Sequence, residues 1–278
     1  MDEVWARAAG AGLAAGLVAV LVTRLIERLG GRLGGVLGTA PTTVVPAALG
    51  LLGQPEADFV ASMATIPVGM WVNAVFLGCW RWLPGRLGAL PGPAQLPAMI
   101  LSSLAVWAVV GLIALQGLRL GAAGGLPPLA IGLLALLCSL GLGLWSCRGG
   151  LHSPGASRPV RPAVLLARAA LAAVAIGAAV LTSSLAGPVV AGLAAVFPAI
   201  FLTTMVSLWV SQGAAVQGAA VGPMMLGSAS VSAYALLAAF LLPWLGGPLG
   251  SVAAWLLSVG LVTGPAAWAL RPRPTAPR

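Results

Sequence analysis

Apolar residues run along this chain in stretches of about twenty, divided by short groups rich in Gly, Pro, Ser and Arg. A helix rising 1.5 Å per residue needs about 20 such residues to cross the hydrocarbon of a bilayer. That ruler predicts nine spanning helices, over 6–25, 33–53, 58–80, 97–118, 126–147, 163–185, 187–210, 219–242 and 248–270. Gly, Pro, Ser and Thr most dilute the second, seventh and eighth. The only sizeable polar stretch, RGGLHSPGASRPVRP, holds the sole histidine, His152, and its Pro, Gly and Ser mark a linker. The expected fold class is all-α, a polytopic helix bundle in a membrane.

Composition agrees with the pattern. Of 278 residues, 60% are hydrophobic and 7% charged, against roughly 25% charged for a soluble domain. So few charges cannot cover a soluble surface, which excludes a water-soluble globule. The first residues, MDEVWARAAGAG, begin with acids, so no cleavable signal peptide is expected. Cys79, Cys138 and Cys147 have no CxxC spacing and predict neither a disulfide framework nor a zinc site.

The fourteen basic residues are all Arg, and their places test the span count. With nine crossings, one face holds Arg24, Arg28, Arg32, Arg81, Arg86, Arg148, Arg158, Arg161, Arg271, Arg273 and Arg278, with Arg168 snorkelling towards it. The opposite face keeps Arg7 and Arg119, together with Glu56 and Asp58. By the positive-inside rule the N-terminus is expected outside and the C-terminus in the cytoplasm. Trp5, Trp80, Trp82, Trp145, Trp209, Trp244 and Trp268 fall at predicted span ends, as an aromatic belt requires, while Trp71, Trp107 and Trp255 fall within spans. The arginines do not form a basic face with interleaved aromatics, so nucleic acid is not an expected partner.

Shifting the second half by 157 brings Gly30 onto Gly187, Gly35 onto Gly192 and Pro41 onto Pro198. One residue further along, Gly69 meets Gly227 and Phe76 meets Tyr234, and Trp107 later meets Trp255. Spans 1–4 and 6–9 are thus read as two copies joined by span 5. The division is a first repeat over 1–120, a connector and linker over 121–161, and a second repeat with a basic tail over 162–278. Five crossings separate the two starts, so the copies enter from opposite sides. Inverted repeats of this kind are common in secondary transporters, where they support alternating access.

In such proteins the substrate sits at the midplane, where interrupted helices expose backbone N–H and C=O groups. Matching interruptions are expected at Pro41 with Thr42 and Thr43 and at Pro198 with Thr203 and Thr204. Spans three and eight carry Thr65-Ile-Pro67-Val-Gly69 and the Gly222–Ser232 run with Ser228 and Ser230. Proline removes a donor, glycine admits a close neighbour, and hydroxyls supply neutral ligands. The candidate substrate-binding set is Pro41, Thr42, Thr43, Asn73, Pro198, Thr203, Thr204, Ser228 and Ser230. Asn73 is the most polar side chain deep in a span and either bonds across helices or faces a cavity. Tyr234 offers a hydroxyl at similar depth. Each of these residues is equally at home in tight helix packing.

No Asp, Glu or His lies inside a predicted span, which argues against a carboxylate proton relay. Met63, Met70, Met205, Met224 and Met225 are read as core filling and not as copper ligands. No catalytic residue, cofactor or metal site is expected, since there is no Walker motif, HExxH or Ser/His/Asp set.

The halved design, carried by GGRLGGVLGTAP and GPVVAGLAAVFP, resembles small secondary transporters of the TauE/SafE anion-exporter or drug/metabolite kind. The chain departs from a five-plus-five helix plan by one span, and the resemblance assigns no substrate or functional residue. The leading expectation is a secondary transporter or facilitator of a small polar or anionic solute. The alternative is a non-catalytic integral subunit or scaffold of a larger membrane complex. A lipid-modifying enzyme ranks third, for want of any acid, base or metal cluster. Expected partners are the lipid bilayer, a small-molecule solute, and either further copies of the chain or other membrane subunits.

Overall fold

Prolines and glycines punctuate the helices of the computed structural model, which describes residues 2–29, 40–42, 44–148, 162–212 and 214–269. Twelve α-helices and one π-helical turn make up the described chain, and no strand occurs among those residues. They are α1 (Asp2–Leu29), α2 (Val44–Leu51), α3 (Glu56–Trp82), α4 (Pro84–Leu87), α5 (Gly92–Ala123) and α6 (Pro128–Cys147). There follow α7 (Pro162–Ala186), α8 (Pro188–Ala194), α9 (Ala199–Gln212), α10 (Ala214–Leu245), α11 (Gly247–Ser258), the π turn Val259–Thr263, and α12 (Gly264–Ala269). Pro84, Pro128, Pro162 and Pro188 each open a helix, where the missing N–H costs nothing and φ is already helical. Gly187 and Gly246, at φ of +83° and +79°, make the sharp joints before α8 and α11, a conformation closed to L side chains.

Six helices among the described residues are long and apolar enough to cross a membrane. They are Val4–Leu21, Glu56–Trp82, Gly92–Ala123, Pro128–Cys147, Ala220–Leu245 and Gly247–Ala269, and Pro162–Ala178 and Ala199–Val210 are shorter apolar helices. The nine expected spans are therefore not nine continuous helices. Within 33–53 the described helix is only the eight residues of α2. The stretch 187–210 is split into α8 and α9 around residues 195–198. Spans three and eight, expected to be interrupted, are unbroken: α3 runs through Pro67, and α10 through Pro223 and Pro243. An interior proline removes one hydrogen bond and bends a helix without having to end it.

Burial separates an inner pair from an outer ring. The spanning windows of α3 and α10 are 78% and 67% buried, while those of α5 and α6 are 11% and 22% buried. Phe59, Met63, Phe76, Trp80, Met205, Met225 and Tyr234 fill the core between them, and the methionines act as fillers as expected. The outer helices turn Leu101, Leu112, Ile113, Leu120, Leu134 and Leu137 outwards. Large apolar side chains around a whole perimeter suit hydrocarbon and not water.

Small residues let the inner backbones touch. Gly12 and Gly16 of α1 lie against the Ala173 and Ala169 carbonyls, and Gly177 lies against the Ala8 carbonyl. Rising numbers on α1 meet falling numbers on α7, so the two helices are antiparallel and pack by a small-xxx-small seam. Glu56 and Val60 at the start of α3 share a cavity with Pro243 and Trp244 at the end of α10, so this pair is antiparallel too. The α6 helix buries only Gly132, Ser139, Gly143 and Ser146, a stripe that packs on both α3 and α10. In addition α5 packs on α3, α11 on α10, and α8 on both α3 and α7.

The ends of the bundle differ in chemistry. At one end the Arg81 guanidinium donates to the Ser146 carbonyl, capping α6, and the Trp82 and Trp145 rings meet at 5.5 Å. At the other, Gly247 lies against Leu49 and Leu52. Trp5, Trp82, Trp145, Trp244 and Trp268 are exposed near helix ends, as a belt predicts. Trp80 and Trp209 are the exceptions: Trp80 is completely buried, Trp209 is half-buried against the core, and their rings stand edge-on at 6.2 Å.

The packing seams give a direct test. A Cβ on Gly192 would lie 2.5 Å from the Ser62 carbonyl oxygen, and backbone cannot yield as a side chain can. Gly192→Ala is expected to lower stability by about 1–3 kcal/mol, the usual cost of overpacking. Gly10→Ala, with nothing within 4 Å, is expected to leave stability unchanged or raise it by up to ~1 kcal/mol. Thermal melts of the two purified variants in detergent check both signs.

Candidate functional site

The stretch 195–198 takes the chain out of helix in the middle of apolar packing. Pro198 has no N–H, and α9 restarts at Ala199 with Leu202 N–H donating to the Pro198 carbonyl at 2.8 Å. The Val196 carbonyl lies outside both α8 and α9, and the Asn73 amide of α3 donates to it at 2.7 Å. On its other side the Asn73 carbonyl oxygen accepts from the Trp107 indole N–H of α5 at 2.8 Å. The Trp107 ring then stands edge-on to Phe197 at 5.3 Å. Three separate elements are thereby locked around one break. Asn73 is 1% exposed, so both bonds lie away from water, where each is worth most.

Glycines allow α3 to come that close. A Cβ on Gly69 would collide with the Val196 side chain, and Gly192 sits against Ser62 and Thr65. Thr65 satisfies its own hydroxyl by donating to the Ala61 carbonyl one turn back at 2.8 Å.

The first interruption is built more simply. Ala40 and Pro41 are buried, and the Thr42 N–H closes a tight turn onto the Ala40 carbonyl at 2.7 Å. The Thr42 hydroxyl is half-buried, 3.4 Å from the same carbonyl. The α2 helix then begins at Val44 and buries Val44, Pro46, Ala47, Ala48 and Leu51. Thr43 lies outside the described residues, as does Gly35.

Three of the remaining candidates donate within their own helices. The Thr203 hydroxyl donates back to Ala199 or Ile200 carbonyl oxygens, at 2.9 and 3.1 Å. Ser228 and Ser230 do the same, to Met225 at 2.8 Å and Gly227 at 2.6 Å. Thr204 is half-buried on α9. Tyr234 shares a 2.6 Å hydrogen bond with Ser251 of α11 in the core. Pro198 and Asn73 are therefore brought together, while Ser228 and Ser230 are held by α10 itself.

Two cavities lie at the end of the bundle where α3 begins. None of the described candidate residues lines either. The sequence reading placed Asn73 correctly as a polar group needing partners but missed Trp107 and the Val196 carbonyl. A tryptophan in mid-span must find an acceptor for its N–H, and that signal pointed to the one deep amide. The reading also took Arg7 as a topology residue only, although Arg7 and Asp58 line one cavity.

No protein-family model matches the chain, and neither curated proteins nor solved structures yield a match. The case for function rests on this geometry alone.

Asn73→Leu leaves both the Val196 carbonyl and the Trp107 N–H unpaired. We expect a loss of about 2–4 kcal/mol, since each stranded buried group costs about 1–3 kcal/mol. Tyr234→Phe, which removes one hydroxyl, is expected to cost about 0.5–1.5 kcal/mol. A double-mutant cycle of Asn73→Ala with Trp107→Phe, read by thermal melts, should show strong non-additivity, and simple additivity would deny the shared network.

Proposed function

We propose that the protein is a secondary transporter or facilitator for a small polar or anionic solute. The observation that carries this reading is the break at 195–198, set in apolar packing and fastened by Asn73 and Trp107. Irregular backbone at membrane depth is tolerated only where protein or a water-filled path covers it, and interrupted helices are where transporters bind. A second interruption at Ala40–Thr42 occupies the place that the 157-residue shift assigns to the first's partner.

The helix pairings support the inverted repeat behind this reading. The first helices of the two copies, α1 and α7, pack on each other, as do the third, α3 and α10. Both pairs are antiparallel, which is what two copies of opposite orientation require. The fourth helices, α5 and α11, each pack on the third helix of their own copy, and α6 lies against both halves. The reading keeps the expected orientation, with the Arg81 and Arg148 end in the cytoplasm. Substrate contacts are assigned to the two breaks, through Pro41, Thr42, Thr43, Pro198, Thr203 and Thr204, with Ser228 and Ser230 alongside.

One observation favours the second reading, a non-catalytic subunit of a membrane complex. The Thr203, Ser228 and Ser230 hydroxyls donate within their own helices, as packing residues do.

The two readings part in vesicles. Uptake of amino acids, betaines and small organic anions into proteoliposomes should exceed the protein-free rate for at least one solute. Thr42→Val should then cut the initial rate about tenfold, the equivalent of about 1.4 kcal/mol in the barrier. A flat panel, with other chains co-purifying at fixed stoichiometry from native membranes, would favour the subunit.

A further inference from the structure

The start of α3, the end of α2 and the first turns of α1 enclose a cavity of about 340 Å³. Val4, Arg7, Gly50, Gly53, Gln54, Pro55, Asp58 and Val180 line it. The Arg7 guanidinium lies across Gly53, where any Cβ would collide with its Nη1. Its Nε is wholly buried and has no hydrogen-bond partner among the described residues. A guanidinium is a planar fork of five donors, matched to a carboxylate or phosphate, and a partly buried one without an anion is poorly satisfied.

Asp58 lines the same cavity, yet no ion pair joins it to Arg7 among the described residues. Asp58 is exposed at the rim of the cavity and Arg7 is half-buried, so the lining offers opposite charges to one ligand. A ligand carrying both signs answers both groups. The Gln54 amide adds a neutral polar partner, and Val4 and Val180 supply apolar wall for a short aliphatic link. The volume stands at the low end for ligand sites, so the ligand is small.

We infer that this cavity binds a small zwitterion, its carboxylate or phosphate on Arg7 and its ammonium on Asp58. The assignment rests on the transport reading for its biological role and places a recognition site at the mouth of the bundle. Binding itself is measured without transport.

The test uses the full chain in neutral, lipid-free detergent, with β-alanine, phosphoethanolamine, acetate and ethylammonium as probes. A zwitterion at a hundred times its Kd is expected to raise the apparent Tm by about 5 °C, while acetate and ethylammonium do nothing comparable. Asp58→Asn and Gly53→Ala, which removes the charge and displaces the guanidinium respectively, should each weaken binding at least tenfold. Arg7→Gln should match them if it folds, and the other two variants decide the matter if it does not. Shifts unchanged in those variants, equal shifts with acetate alone, or no shift with either zwitterion would overturn the site. A response to β-alanine assigns a free amino acid, and a response to phosphoethanolamine alone assigns a lipid headgroup. Binding without vesicle uptake would overturn the transport reading and leave the site standing.

Discussion

Within a bilayer, a carbonyl that loses its helical partner has no water to turn to, and Val196 carries such a carbonyl. Its oxygen is taken by the Asn73 amide, whose own oxygen is fixed by the Trp107 N–H. Much else follows from that requirement. The α3 helix must come close enough to α8 for a short side chain to reach, which Gly69 and Gly192 permit. The α5 helix must lie against both α3 and the break to present Trp107. Phe197 then fills the space under the indole. A break that hydrocarbon would forbid becomes a fixed feature because three helices share its cost.

The same economy of size governs the rest of the packing. Between lipid-bathed helices there is no water to expel, so close van der Waals contact and hydrogen bonds hold them together. Gly12, Gly16, Ala169 and Ala173 bring α1 against α7, and Gly132 and Gly143 bring α6 against its neighbours. Bulk is kept for the outer surface, where leucines meet lipid, and for the centre, where Phe76, Trp80 and Tyr234 fill space between α3 and α10. Hydroxyls buried in this packing bond mostly to their own helices, as Ser139 does to Ala135 at 2.8 Å.

The all-helical architecture, the helices long and apolar enough to cross a membrane, and the break at Pro198 were legible in the sequence, because run length and proline act locally. Local signals also misled. Pro67 and Pro223 carry the same chemistry as Pro198, yet α3 and α10 continue through them. Burial on most sides by other helices lets those two continue through a single lost bond. Trp80 looked like a belt residue from its position, but its side of α3 faces the core. Helix phase decides that, and phase is set by neighbours distant in sequence. The partners of Asn73 lie 34 and 123 residues away, beyond any spacing rule. Arg7 was hidden for a similar reason: the cavity it shares with Asp58 depends on how α1 lies against the turn between α2 and α3.

The two interruptions are not held alike, and that bears on the proposed transport cycle. A shift of 158 carries Asn73 onto Val231, so in the proposed repeat the second copy would have no amide at the equivalent place. The break at 195–198 is clamped by a side-chain network, whereas the Ala40–Thr42 turn closes on its own backbone. Two copies that exchange conformations during alternating access would pass between states of equal energy only if their fastenings were equal. Under the transport proposal, these unequal fastenings would favour the state in which Asn73 grips Val196. Solute binding would then have to supply the difference, because a ligand can shift such an equilibrium only by its own difference in affinity for the two states. A solute held at the unclamped first break, near Thr42, can favour one state without first breaking the Asn73 network.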